Sequence, residues 1–325
     1  MLFQKRGSLM LGTSWILNTN GKTEIESDEA LPVFRVKTWI HLTPKNEEEL
    51  TKLLKNYNIH PLTIEDLMNI HSRIKKEEFP NYTFVIFRGI HFDANIISAK
   101  NFNFIITKNV LITVALDHRN TINDIIENWQ NGKDLLDRGL EFIIHRIMDA
   151  ETDHLLPIVY RIEDQAEELE AKIFGSDRKL DIGTVFMLRG NLQQIKKIIL
   201  QHIEILKEME TSEEDFISVE SDAFFRDVKD HSYRILDITE NVKEMISSAL
   251  EVHLTVSSRK SNEIMTILTM MTAIMLPMSL IAGLYGMNFK YIPMLENPNG
   301  FFISIGIMGI IGILMALYFK LKKWF

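Results

Sequence analysis

Along most of the chain, apolar residues alternate with charges at short intervals, but two stretches carry no charge at all. Ile264–Leu284, "IMTILTMMTAIMLPMSLIAGL", is uncharged over 21 residues and Gly300–Tyr318, "GFFISIGIMGIIGILMALY", over 19. Each is close to the ~20 residues that a membrane-spanning helix requires. They predict two transmembrane helices. A pair of buried core helices is the alternative, but it would need a large soluble shell around it, and only seven residues follow the second run.

The period changes along the rest of the chain. Up to about residue 120, "NYTFVIFRGIHF" and "FNFIITKNVLITVAL", the latter broken at Lys108-Asn109, are rich in Phe, Val, Ile and Thr and predict strands. Between the early strands, "NEEELTKLLKNY" and "HPLTIEDLMN" read as short helices, the second with Pro61 in its first turn. Residues 1–120 are therefore expected to form an α/β domain. From Thr121 the pattern is helical: one long amphipathic helix from "DLLDRGLEF" to "EAKIF", kinked at Pro157, then a break at "GSDRK" and a second helix over 182–210. Residues 121–215 are expected to form an antiparallel helical hairpin, with acidic segments that read mostly as solvated faces.

No glycine or proline occurs between Gly190 and Pro277, and the helical period runs from Phe216 without interruption into the first span. A stalk over 216–263 is thus expected to be continuous with the span at 264–284, roughly 65 residues and ~100 Å in all at about 1.5 Å each. The apolar positions of the stalk (Phe224, Val228, Ile235, Ile238, Val242, Met245, Leu250) cannot be covered by one rod alone, so packing against copies of the chain is expected.

Charge at the flanks orients the spans. Arg259 and Lys260 precede the first, Lys320, Lys322 and Lys323 follow the second, and the loop 285–299 between them has only Lys290 and Glu296. The positive-inside bias puts both termini in the cytoplasm of a cell (inner) membrane protein, the loop outside, and residues 320–325 in a basic cytoplasmic tail with Trp324 and Phe325 at the inner interface. The opening "MLFQKRGSLMLGTSWIL" lacks the apolar core and cleavage site of a signal peptide. The net charge of −8 argues against a nucleic-acid partner. With no cysteine, thiol catalysis and zinc-thiolate sites are excluded, so any metal ligand is oxygen or imidazole.

Two spans cannot enclose a hydrophilic path, so a transport role requires an oligomer. At helical spacing Asn262, Met265, Leu268, Thr272, Leu276, Ser279 and Gly283 share one face of the first span. Amide and hydroxyl oxygens there could bond the water of an ion, and the apolar positions could close by dewetting. Ordinary helix packing is the competing account of that stripe. Gly306, Gly309 and Gly312 suit the second span to close packing on a neighbour, as an outer helix. At the end of the first span, Gly286 can bend the chain, Met287 fills a gap and Asn288 offers a neutral carbonyl oxygen. A ring of such amides suits a hydrated dication, because Mg2+ dehydrates reluctantly and a carboxylate ring could hold it too tightly to leave. In the stalk, Asp227, Asp230 and His231 also share a face and could present oxygen or imidazole to a metal, although a solvated face explains that trio as well.

"YGMNF" at Tyr285–Phe289, the preceding "MLP" with Pro277, the two spans and the terminal "KLKKWF" closely resemble the CorA magnesium transporter family. "HPLTIEDLMNIHSR" at His60–Arg73 and "FRDVKDH" at Phe225–His231 extend the resemblance over nearly the whole chain. The resemblance implies an α+β/α membrane protein: an N-terminal cytoplasmic α/β domain, a long helical stalk continuous with the first of two transmembrane helices, and a homopentameric funnel. It implies potential-driven influx of Mg2+, also Co2+, with five first spans lining the pore, and no enzymatic activity or organic cofactor. Regulatory Mg2+ would lie between subunits, with Asp66 facing Asp227 of a neighbour, and Glu65 and Asp149 resemble members of a second, weaker site. The chain departs from the family pattern at Lys290 and at Met294, where a glutamate is usual, and at Thr272 and Leu276 in the pore stripe. Two other functions stay open at this point: a proton-coupled Zn2+ transporter of the related ZntB group, and a membrane-anchored signalling stalk.

Overall fold

The computed structural model describes residues 14–25, 29–93, 96–116, 120–174, 181–210, 218–288, 290, 292–294 and 296–322. The expectations for Phe289, Lys323, Trp324, Phe325 and the "GSDRK" break, and most of that for "ETSEED", lie outside those residues.

Among the described residues, seven strands form one sheet in the order β2-β1-β3-β7-β6-β5-β4. They are β1 (Ser14–Asn18), β2 (Gly21–Ile25), β3 (Thr38–Leu42), β4 (Lys75–Phe79), β5 (Tyr82–Asp93), β6 (Ile96–Ile106) and β7 (Val110–Val114). All neighbours are antiparallel except β3 and β7. The α/β reading therefore holds for the mixture of elements, while the sheet is built chiefly from hairpins. Alternation along the strands divides the side chains between two cores. Phe84, Ile86, Ile105 and Ile112 face α1 (Glu47–Leu53) and α2 (Pro61–Met68). Val85, Phe87, Phe104 and Leu111 face the long helices on the other side. Both faces are covered, so the central strands β3 and β7 are buried throughout.

The helices of that second layer are α3 (Asn120–Glu127), α4 (Trp129–Arg138), α5 (Leu140–Asp153), α6 (Leu155–Phe174) and α7 (Ile182–Glu210). The single helix expected across α4, α5 and α6 is thus divided, at Gly139 and at His154. Gly139 is extended, at φ 170 and ψ 158, and interrupts the α-helical backbone. Pro157 does not kink a helix interior; it stands in the first turn of α6, where the missing N–H removes only a bond back to Asp153 and the break falls just before it.

Helix α8 (Val219–Tyr285) runs unbroken for 67 residues, including Pro277. The half of α8 that precedes its apolar run corrects one expectation. Phe225, Val228, Ile235, Val242 and Ile246 are buried in the core shared with α5, α6 and α7, and Ile238 and Met245 pack against it. The chain folds its own helices over these positions, so they need no second copy, while Phe224 of the expected set stays exposed and Leu250 half-buried. Polar ties reinforce the docking: Lys196 to Glu240 at 2.6 Å, Lys229 to Glu210, and Arg234 donating to the Tyr160 hydroxyl at 2.8 Å.

The chain divides into two compact units, residues 1–247 and 248–325. In the second, α9 (Gly300–Leu321) packs against the end of α8, and both helices are long and apolar enough to cross a membrane.

Candidate ion path and cation-binding cluster

The last turns of α8 have two unlike faces. Met270 is buried, and Ala273, Ile274, Pro277, Met278, Ile281 and Tyr285 are half-buried, forming the covered face. Asn262, Met265, Leu268, Thr272, Leu276, Ser279 and Gly283 are all exposed, roughly opposite on the helix. Within one chain, then, the mixed polar and apolar stripe lies on the broad part of the helix surface that α9 leaves uncovered, beside the purely apolar Ile267, Met271, Met275 and Leu280. Thr272 donates its hydroxyl proton to Leu268 O at 2.8 Å, as Thr266 and Thr269 do one turn back to Asn262 and Met265. Such a hydroxyl has spent its donor on its own helix, and its remaining lone pairs can accept from water. Cation-bound water presents hydrogens outward, so acceptors are what an aquated ion requires of a wall.

The glycines of α9 behave less uniformly than expected. A Cβ on Gly312 would stand 2.4 Å from the terminal methyl of Met278, so this glycine does serve close packing on α8. Gly306 and Gly309 face open space within the chain. Steps of three residues advance 300°, which spreads the three glycines over about a third of the helix circumference, and only one can meet α8.

At the end of α8, Gly286 N–H reaches back to Ala282 O (3.0 Å) and Gly283 O (3.2 Å), and Met287 N–H to Leu284 O (3.3 Å). Asn288 follows directly and is exposed. The Tyr285 hydroxyl donates to Pro293 O at 3.3 Å, tying the returning loop to the helix end. Met294 adopts φ 68, a left-handed conformation that a side chain of this size rarely takes.

A second constellation lies in the first unit, between α5 and α8. Aromatic contacts dock the two helices: Phe142 and Phe224 meet edge to face at 5.6 Å, His145 lies 5.4 Å from Phe224 and 5.8 Å from Phe225, and the Arg138 guanidinium sits 3.9 Å over Phe142. Arg138 also pairs with Glu220 at 2.9 Å. This docking brings Asp149 of α5 beside Asp227 and His231 of α8, with one ligand atom from each lying within 4.8 Å of the others. His231 Nδ1 is 3.1 Å from Asp153 Oδ1, and its Nε2 is 4.0 Å from Asp227 Oδ1. Burial raises the Asp149 carboxyl above its usual range, His145 offsets this and Asp153 adds to it. Burial likewise lowers His145. The donor set, two carboxylates and an imidazole, fits a divalent cation.

Asp66 and Glu65 are not part of this group within one chain. Asp66 lies on α2, where its Oδ1 accepts from Ser72 Oγ at 2.9 Å and its Oδ2 from Lys75 Nζ at 2.7 Å. Glu65 is exposed. Of the trio expected on α8, Asp227 and His231 join the cluster and Asp230 does not. Asp153 went unread in the sequence. Its separation of four residues from Asp149 on one helix was the available signal.

A profile of the CorA-like Mg2+ transporter protein family matches residues 36–323. The chain belongs to that family. Among the CorA relatives, the cobalt/magnesium transport protein CorA of Thermotoga maritima is 29% identical over 306 residues, covering 93% of this chain and 87% of that one. The complete structure of the CorA magnesium transporter from Methanocaldococcus jannaschii superposes with a TM-score of 0.81 at 24% identity, over 98% of this chain and 100% of that one. The cytoplasmic domain of ZntB from Vibrio parahaemolyticus is more distant, with a TM-score of 0.60 at 13% identity over 76% of this chain. Such a likeness speaks to the fold of the first unit alone.

Proposed function

We propose that this CorA-family chain is a homopentameric divalent cation channel that carries Mg2+, and also Co2+, into the cell down the membrane potential. Five α8 helices would line the path with the stripe from Asn262 to Gly283, and α9 would face lipid. The observation that carries this reading is the composition of the stripe: on a helix surface that the chain's own second span leaves mostly bare, this line alone combines amide, hydroxyl and apolar groups without charge, beside purely apolar Ile267, Met271, Met275 and Leu280.

Gly286, Met287 and Asn288 would stand at the external mouth, where a ring of Asn288 amides meets the ion with its water still attached. The ion would then pass the levels of Ser279, Leu276, Thr272, Leu268 and Met265 and leave past Asn262. An inside-negative potential supplies about 4.6 kcal/mol per 100 mV to a divalent ion, twice the single-charge value, so no nucleotide is required. Both termini would be cytoplasmic, as the basic flanks require.

Gating follows from charge. Each chain carries −8, and five together repel one another. Asp66 would share cytoplasmic Mg2+ with Asp227 of a neighbour, and Asp149, clustered with Asp227 and His231 within one chain, would belong with Glu65 to a second, weaker site. Bound cations relieve the repulsion and favour the closed assembly, and their loss favours the open one. To test conduction, purified protein is reconstituted into liposomes and uptake is followed with an indicator dye under an imposed potential, with Mg2+, Co2+ and Zn2+ compared. Wild type is expected to take up Mg2+ and Asn288→Ala to lose most of that uptake. Undiminished uptake by Asn288→Ala would refute capture at the amide ring, and a preference for Zn2+ driven by a proton gradient would replace the Mg2+ reading.

A further inference from the structure

The carboxylate of Asp66 already has a cation. Lys75 Nζ lies 2.7 Å from Asp66 Oδ2 and 2.7 Å from Glu77 Oε1, both as hydrogen bonds, and the ammonium also sits 5.7 Å from the centre of the Phe84 ring. The pair is about a quarter exposed, with side-chain accessibilities of 27% for Lys75 and 26% for Asp66, so water screens it only in part. The local backbone builds this contact. Asn69 ends α2 and accepts from the N–H of His71 through its side chain at 2.9 Å and from that of Ser72 through its carbonyl at 3.1 Å, which turns the chain back. Ser72 Oγ then reaches Asp66 Oδ1, and β4 begins at Lys75 directly alongside. Lys75 loses some basicity to burial, but its bonds to Asp66 and Glu77 more than restore it, so it stays charged at every physiological pH.

We propose that Lys75 is a built-in competitor for the divalent cation at Asp66 and sets the cytoplasmic Mg2+ concentration at which that position fills. This deepens the proposed gating and rests on it. A carboxylate can accept at several lone pairs, so Asp66 can hold Lys75 and still bond one water of an aquated cation. It cannot offer that cation a full negative charge. Each approaching dication meets a carboxylate half-neutralised by an ammonium 2.7 Å away, and must share the oxygen or displace Lys75 toward Glu77, which is already its second acceptor. Glu77 thus gives the displaced ammonium somewhere to go. The exchange raises the threshold for closure without removing the site. By contrast, among the described residues the cluster of Asp149, Asp227 and His231 has only the longer contact of Arg146 to Asp149, at 3.8 Å, as a competing basic side chain from Lys or Arg.

The test measures the internal Mg2+ concentration giving half-closure in reconstituted full-length protein, for wild type, Lys75→Gln, Lys75→Met, Asp66→Asn and the double variant Asp66→Asn/Lys75→Met. Methionine keeps the stem over Phe84 and removes only the charge, so it guards against a folding defect in the glutamine variant. Each Lys75 variant is expected to lower the half-closing concentration about two- to fivefold, the scale of a partly screened ion pair. Asp66→Asn is expected to raise it, and the double variant to match Asp66→Asn alone. As a second reading, stabilisation of the pentamer by Mg2+ in thermal unfolding should begin at lower Mg2+ in Lys75→Met. If Asp66→Asn shifts the threshold but neither Lys75 variant does, competition by Lys75 is wrong and the gating reading survives. If Asp66→Asn itself shifts nothing, the gating role of Asp66 falls, and the inference with it.

Discussion

The carbonyl oxygen of Met294 occupies the space a side chain on Gly300 would need: a Cβ built there would stand 2.1 Å from it. The loop closes on itself at this point, with Asn297 N–H donating to Met294 O (3.3 Å), Gly300 N–H to Asn297 O (2.9 Å) and Asn299 N–H to Asn297 Oδ1 (3.0 Å). Gly300→Ala pushes against backbone, which cannot rotate away, and is expected to destabilise the protein by ~1–3 kcal/mol. Gly306→Ala and Gly309→Ala meet nothing within the chain and replace glycine in a helix interior, where alanine is favoured by about 0.8–1.0 kcal/mol. Thermal unfolding in detergent separates them: a lowered midpoint for Gly300→Ala only. Equal losses at all three would mean that Gly306 and Gly309 also sit at close contacts, between chains.

His202 is fully buried in α7 and stacked on Phe87 of β5, with ring centroids 3.9 Å apart and both nitrogens shut off from solvent. Burial lowers its pKa from 6.5 to about 3. The folded state thus binds this proton less readily than the unfolded chain, so stability is full above pH 6.5 and falls as pH drops toward 3. The slope from this group approaches ~1.4 kcal/mol per pH unit within that window. Denaturant unfolding of His202→Phe at a series of pH values should show a shallower acid loss than wild type. An unchanged slope would assign the acid sensitivity to other groups.

The features legible in the sequence were those set by local chemistry. Pro61 at the first turn of α2, the turn at Lys108-Asn109 between β6 and β7, the limits of α7 and the two uncharged spans each follow from a few adjacent residues. What stayed hidden depends on partners distant in sequence. The burial of Val228, Ile235 and Val242 needed α5 to α7 to be placed over the rod, and periodicity says that a face is apolar without saying what covers it. The same holds for the site. Asp227 and His231 are four apart on one helix, but Asp149 reaches them only through the docking of Phe142, His145 and Phe224. Nothing near Asp66 in the motif "IED" announces Lys75, nine residues on.

The cluster of Asp149, Asp227 and His231 predicts a split between metals. Replacing Asp227 removes the carboxylate that lies closest to His231 on α8, and should raise the Mg2+ and Co2+ concentrations needed for closure alike, by about tenfold or ~1.4 kcal/mol. His231→Gln keeps a neutral polar side chain and loses the imidazole, which first-row transition ions favour far more than Mg2+ does. It should therefore weaken closure by Co2+ more than closure by Mg2+. Current recordings with each ion on the cytoplasmic side, before and after chelation, measure both. A wild-type response to internal Mg2+ in Asp227→Ala would remove this cluster from gating.

Leu268 and Thr272 stand one turn apart on the exposed stripe and are joined through the Thr272 hydroxyl, which donates to Leu268 O at 2.8 Å. The two should act in opposite senses. In the closed pentamer proposed above, a ring of Leu268 side chains excludes water, and an aquated dication cannot pass a dry constriction without losing waters that it releases reluctantly. Leu268→Ser keeps the level wet and should leave current flowing at internal Mg2+ concentrations that silence wild type. Thr272→Val removes acceptors that the ion's water would use, without changing the width, and should reduce open-state conductance about two- to tenfold, the worth of one hydrogen bond of ~0.5–1.5 kcal/mol. Single-channel or macroscopic recordings in planar bilayers resolve the two effects, since one alters closure and the other flow. Normal silencing of Leu268→Ser by Mg2+ would put the barrier at another level, with Met265 and Leu276 the remaining apolar positions on that face.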